Sequence, residues 1–261
     1  MSALDILPVP AFNDNYIWLI CDADRRRAAI VDPGDASPVL AVLAREGIEP
    51  VALLITHHHG DHVGGVAELK RAFPGLVVYG PARERIAGID VPLQDGDVVE
   101  LPAIGAAFEV MDVPGHTAGH IAYYGHGALF CGDTLFAGGC GRVFDGTHDE
   151  LADSLQRIAT LPGDTLLYCA HEYTLDNLGF GKWVEPDNAV LLAREERALA
   201  LRHDGRPTVP STLTEELATN PFMRLSEPAV IAAAEAHAGQ PLRGAREVFY
   251  AIRQWKDREY D

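Results

Sequence analysis

The run Val51-Ala-Leu-Leu-Ile-Thr-His57-His58-His59-Gly60-Asp61-His62-Val-Gly-Gly65 decides how this chain is read. Val51 to Ile55 is a short apolar segment of strand character, and polar chemistry starts directly after it. In extended backbone, residues two apart point the same way, so His57 and His59 converge while His58 points elsewhere. Gly60 allows a tight reversal, and Asp61 and His62 then arrive from the turn that leads into the next helix. Two imidazoles suit a borderline metal, and a carboxylate beside a third imidazole suits another. A loop of stray histidines would not be fenced between a buried strand and a Gly-Gly helix start. His58 by itself is read as an unliganded loop residue.

Three further segments follow the same logic. His116 lies on the glycine turn of Val113-Pro-Gly-His116-Thr-Ala-Gly-His120, Asp133 lies just past the apolar run Leu129-Phe-Cys-Gly, and His171 ends Tyr168-Cys-Ala. Each sits at a strand end, where α/β folds gather their sites. With the first cluster they make five histidines and two aspartates, enough for a two-metal centre. His120 is read as a non-ligand that orients the loop or starts the next strand. Asp32, in Val31-Asp-Pro-Gly34, is either a turn carboxylate or a partner that orients a liganding histidine.

Outward from these motifs, the first two-thirds of the chain alternate short strands with turns and occasional helices. Strands are expected at Tyr16–Cys21, Ala28–Val31, Val77–Tyr79, Val98–Leu101, Phe108–Val113, Ile121–Tyr124, Ala128–Cys131 and Thr165–Cys169. Helices are expected from Ser37 to Gly47, Val66 to Phe73 and Glu150 to Leu161. Beyond about Glu172 the pattern is helical only, at Asn188–His203, Pro228–Ala238 and Ala245–Arg258. This gives an α/β domain over residues 1–172 and a smaller, all-helical domain over 173–261.

Composition bounds the function. Of 261 residues, 21 are Lys or Arg and 38 are Asp or Glu, a formal charge of −17. That balance disfavours nucleic acid and anionic membrane surfaces, which need a basic footprint. The four cysteines, Cys21, Cys131, Cys140 and Cys169, form no C-x-x-C pair, and most lie in or beside apolar runs as buried thiols of a reducing compartment. Residues 1–10 lack a basic start and an apolar core of the kind a secretory signal carries. The expectation is a soluble, cytoplasmic monomer.

The H-x-H-x-D-H string followed by His116, Asp133 and His171 resembles the metallo-β-lactamase superfamily. Leu7–Ile17, Gly132–Phe136, Gly139–Arg142, Ala170–Thr174 and Asn220–Arg224 are similar to glyoxalase II, the hydroxyacylglutathione hydrolases, and the similarity runs over nearly the whole chain. The resemblance implies an αββα sandwich with a C-terminal helical domain. It implies that His57, His59 and His116 hold one divalent ion, that Asp61, His62 and His171 hold another, and that Asp133 bridges them. Zinc is the metal expected, with iron or manganese as alternatives. The activity implied is hydrolysis of S-(2-hydroxyacyl)glutathione by a metal-held hydroxide, with Asp61 and Asp133 as catalytic carboxylates. Arg142, Phe144, Tyr173, Arg253 and Lys256 fall on the family's glutathione contacts. Phe144 stands where some members have tyrosine, so any contribution there falls to its backbone amide or ring.

The last helix also makes sense by spacing. Val248, Ile252 and Trp255 form an apolar stripe, and Arg253 and Lys256 share another face, either clasping a carboxylate or lying solvated. A persulfide dioxygenase or a tRNA-processing nuclease on the same scaffold is a weaker reading. The complete second donor set opposes the first, and the acidity opposes the second.

Overall fold

The computed structural model describes residues 4–260, which divide into two compact units. One holds the chain up to Asp112 together with Thr117–Gly132, and the other holds Val113–His116 and everything from Asp133 onward.

In the first unit the strands are β1 (Asp5–Ala11), β2 (Asn15–Cys21), β3 (Arg27–Val31), β4 (Glu49–Leu54), β5 (Val77–Pro81) and β6 (Val91–Leu93). They form one sheet in chain order, antiparallel from β1 to β3 and parallel from β3 to β6. Three helices connect the parallel part: α1 (Ala36–Glu46), the single turn α2 (Gly60–Val63) and α3 (Val66–Ala72). Asp35 caps α1 by accepting from the Ser37 amide, and Gly47 ends it in the left-handed region. Every residue of β2 is buried, so alternation fails there and the run reads as continuously apolar. Ile17, Leu19 and Cys21 share a core with Val39 and Leu43 of α1 and Leu69 of α3. The same unit carries the antiparallel meander β7 (Val98–Leu101), β8 (Ala106–Asp112), β9 (Ile121–Gly125) and β10 (Ala128–Gly132). Tyr123 of β9 donates its buried hydroxyl to the Ile55 carbonyl at 2.8 Å, tying the meander to the exit of β4.

The second unit opens with the short pair β11 (Leu135–Phe136) and β12 (Gly139–Cys140), then α4 (His148–Ile158) and β13 (Leu166–Cys169). Helices α5 (Thr174–Val184), α6 (Ala189–His203), α7 (Leu213–Thr219), α8 (Pro228–Ala238) and α9 (Ala245–Trp255) follow, with strand β14 (Ser211–Thr212) before α7. The C-terminal region is therefore helical apart from β14, which pairs with β13. Phe180, Phe222 and Phe249 form its aromatic core. Beside it, Arg194 and Glu216 make a buried ion pair.

Candidate metal centre

The first unit places four donors in one place. Where β4 ends, the Thr56 amide and hydroxyl donate to the two carboxylate oxygens of Asp32, at 2.8 and 2.7 Å. His62 Nδ1 lies 3.0 Å from Asp32 Oδ2. Opposite a carboxylate oxygen that nitrogen is the N–H donor, which leaves Nε2 as the nitrogen able to bind a metal. Asp32 is thus the partner that orients a histidine, the second of the two readings its sequence left open. It holds a positive φ of 50°, which Asp tolerates better than most residues.

His57 and His59 converge, with Nε2 and Nδ1 3.1 Å apart. Two nitrogens on one tetrahedral zinc lie roughly 3.4 Å apart, so the pair suits a shared cation. His58 turns the other way and meets Glu84 at 2.9 Å. Asp61 Oδ2 lies 3.6 Å from His62 Nε2 and accepts from Asn15 Nδ2 at 3.0 Å. Gly34 permits this approach, because a Cβ there would overlap the Asp61 carbonyl. His120 is fully buried and stacks on His57 with ring centroids 4.5 Å apart. Gly132, at φ +48°, leaves room for that imidazole, since a Cβ would sit 2.8 Å from its ring.

The second unit places three more donors. His116 Nδ1 meets the Arg142 carbonyl at 2.7 Å, so that nitrogen carries the proton and Nε2 is left able to bind a metal. Asp133 Oδ2 is 3.5 Å from His116 Nε2 and 3.4 Å from His171 Nε2. All three side chains are buried. One carboxylate oxygen between two imidazole nitrogens is the arrangement of a shared metal ligand. The His171 ring is stacked on Tyr173 at 4.7 Å, and that of His116 meets the edge of Phe144 at 5.2 Å.

The residues expected at the glutathione end behave unequally. Arg142 is half exposed, with Nε 3.8 Å from Asp257. The Phe144 amide donates to the His116 carbonyl at 3.0 Å, and the residue is 65% exposed. Tyr173 is partly exposed. Arg253 is 1% exposed; it donates to the Cys140 carbonyl at 3.1 Å and meets Asp257 at 2.9 Å. Lys256 is buried too and pairs with Asp176 at 3.2 Å. The solvated-face reading of these two cations is therefore wrong.

The sequence reading missed Asn15, although it lies within the Asn13-Asp-Asn15-Tyr16 run already quoted. It also missed Glu216, which accepts from the Gly138 amide at 2.8 Å and from Asn220 at 3.0 Å. Asn220 in turn holds the Gly139 carbonyl at 2.9 Å. These contacts pin the β11–β12 turn between Asp133 and Arg142. Burial pushes the Cys140 thiol up to about 11 and that of Cys169 up to about 12.

Residues 12–171 match the family model of the metallo-β-lactamase superfamily, and the sheets and helices described above are of that α/β fold class. Residues 172–259 match the model described as hydroxyacylglutathione hydrolase C-terminus. Relatives named hydroxyacylglutathione hydrolase match over nearly the full length. The one from Alkalilimnicola ehrlichii is 55% identical over 253 residues, 97% of this chain and 98% of that protein. Among solved structures, ETHE1 from Myxococcus xanthus shares the fold at a TM-score of 0.67 and 24% identity, covering 99% of this chain and 93% of that one. TTHA1623, solved in a di-iron-bound form, has a TM-score of 0.53 at 32% identity, over 63% of this chain and 91% of that one. The chain belongs to the hydroxyacylglutathione hydrolase family of the metallo-β-lactamase superfamily.

Proposed function

We propose that this protein hydrolyses S-(2-hydroxyacyl)glutathione, typically S-D-lactoylglutathione, to a 2-hydroxy acid and free glutathione, the second step of methylglyoxal detoxification. Family membership over both segments of the chain supports the reaction. The single observation that carries the chemistry is the Asp133 oxygen held between two buried imidazole nitrogens.

We assign His57, His59 and His116 to one divalent ion, Asp61, His62 and His171 to the other, and Asp133 to both. Zinc is the metal proposed, and nitrogen–carboxylate sets of this kind also admit iron and manganese. Two such ions, when bound, supply Lewis acidity and bring a coordinated water's pKa towards neutrality.

The chain's own residues prepare that chemistry. Asp32 and the Arg142 carbonyl fix the tautomers of His62 and His116, so each presents Nε2. Asn15 steadies Asp61. The departing thiolate has a reference pKa of about 8.5 and needs no protein acid. Neither Cys140 nor Cys169 is needed as nucleophile, and burial, which raises both thiols, disfavours the reactive thiolate. Arg142, Tyr173 and Lys256 are proposed to meet the glutathione moiety, Phe144 to flank it with its ring, and Arg253 to support them from below. The boundary near residue 172, a monomeric state and a cytoplasmic location belong to the same proposal; among the described residues no helix is long and apolar enough to cross a membrane.

Metal content of the purified protein, measured beside thiol release from S-D-lactoylglutathione, tests the reading. Two metals per chain and turnover abolished by chelation are expected. Undiminished turnover by metal-free protein would overturn it.

A further inference from the structure

Glu84 belongs to no donor group described above, yet its side chain is only 3% exposed. Burying a carboxylate is costly unless its oxygens are hydrogen-bonded, so the partners deserve an account. One oxygen faces His58 Nδ1 at 2.9 Å, and His58 stands between the donors His57 and His59. The other accepts from the Thr117 hydroxyl, and Thr117 is the residue directly after the donor His116. Gly119 lets the Glu84 stem come this close, since a Cβ there would sit 2.5 Å from Glu84 Cγ. The carboxylate therefore joins the segment carrying His57 and His59 to the segment that starts at Thr117. A second link runs alongside it, from the Ile121 amide to the Thr56 carbonyl at 3.0 Å.

We propose that Glu84 is a positioning residue of the metal centre, acting through His58 and Thr117 to hold the donor-bearing loops in their liganding geometry. The inference rests on the assignment of His57, His59 and His116 as metal ligands. It gives His58, read from sequence as idle, a use: its ring is the handle by which the H-x-H backbone is gripped. Partners hydrogen-bonded directly to a ligand typically change affinity or activity 10- to 100-fold when removed, and Glu84, one residue further out, should fall at the low end of that range.

The test compares wild type with Glu84→Ala and Glu84→Gln. Zn2+ affinity is measured by chelator competition, the Co2+-loaded proteins are compared by their visible spectra, and kcat and KM are measured on S-D-lactoylglutathione. Melting of the metal-free proteins is followed in parallel. Glu84→Ala is expected to weaken Zn2+ binding about 10-fold, alter the Co2+ spectrum, and lower kcat with KM changed by less than about twofold. Glu84→Gln keeps an acceptor for Thr117 and should show a smaller loss of the same kind. Should Glu84→Ala fail to fold, Glu84→Gln carries the comparison alone. Wild-type Zn2+ affinity and Co2+ spectrum in the folded variants would overturn the proposal. So would a metal loss that merely follows a fall in metal-free melting temperature. Wild-type protein that takes up no Zn2+ would instead sink the ligand assignment, and the proposal with it.

Discussion

Replacing Arg253 by Ala tests whether the last helix binds substrate directly or supports the loop that does. The guanidinium donates to the Cys140 carbonyl at 3.1 Å, meets Asp257 at 2.9 Å, and lies over the face of Phe222 at 5.0 Å from its centroid. Asp257 is a third exposed, so that pair is discounted for solvent. The charged hydrogen bond to a buried carbonyl contributes about 1.5–3 kcal/mol, and the emptied volume adds to that. A total of about 3 kcal/mol corresponds to a fall in Tm of about 6–12 °C for a chain of this size. The damage should reach the chemistry as well. Cys140 leads directly into Arg142, whose carbonyl fixes the His116 imidazole. Arg253→Ala should therefore lower kcat/KM on a small neutral thioester as well as on S-D-lactoylglutathione. Arg253→Lys restores the charge without the guanidinium fork and should recover only part of the stability. Thermal unfolding and both kinetic assays decide the matter. An unchanged Tm with activity lost only on the glutathione thioester would refute this account and make Arg253 a direct ligand contact.

Three further outcomes are expected. Asp133→Ala should lose most bound metal and nearly all turnover while far-ultraviolet circular dichroism stays unchanged; two metals per chain in that variant would end its role as shared ligand. Glu216→Leu removes the nearer of two carboxylates that face the buried Arg194 cation, leaving Glu215 at 3.4 Å, and should cost about 1.5–3 kcal/mol, read as a lower Tm and faster amide exchange in the 136–140 turn. Cys140 and Cys169 are held protonated well above the ordinary 9.0, so their contribution to stability is complete below pH 9 and is lost as pH rises through about 11–12. By pH 10 the two together should cost about 3 kcal/mol relative to pH 8, and replacing both with Ala should lessen that fall, leaving the share of Cys21, which burial also pushes up to about 11. An equal alkaline fall in the double variant would show that other groups govern it.

The sequence by itself determined the local grammar. Short apolar runs bounded by turn residues placed β2, β3 and β7 within a residue, and a stretch rich in Ala, Leu, Arg and Glu placed α6 as closely, because such composition is a property of each single segment. It also showed His57 and His59 on one side of an extended run and His58 on the other. It did not show β1, where Pro8 and Pro10 lack amide donors and fit only because β1 is the edge strand of its sheet. Nor did it show α5, whose Gly179 and Gly181 are poor helix formers while the structure uses them for close approach by Tyr260 and Leu191. What tertiary structure alone decided is which polar groups meet. Asp32 and His62 are 30 residues apart, Glu84 and Thr117 are 33 apart, and Arg253 and Cys140 are 113 apart. Spacing along the chain carries no record of such pairs, because they form only when packing buries both groups and each must find a partner away from water. The same burial turned Arg253 inward, a direction no helical wheel drawn for one isolated segment could supply.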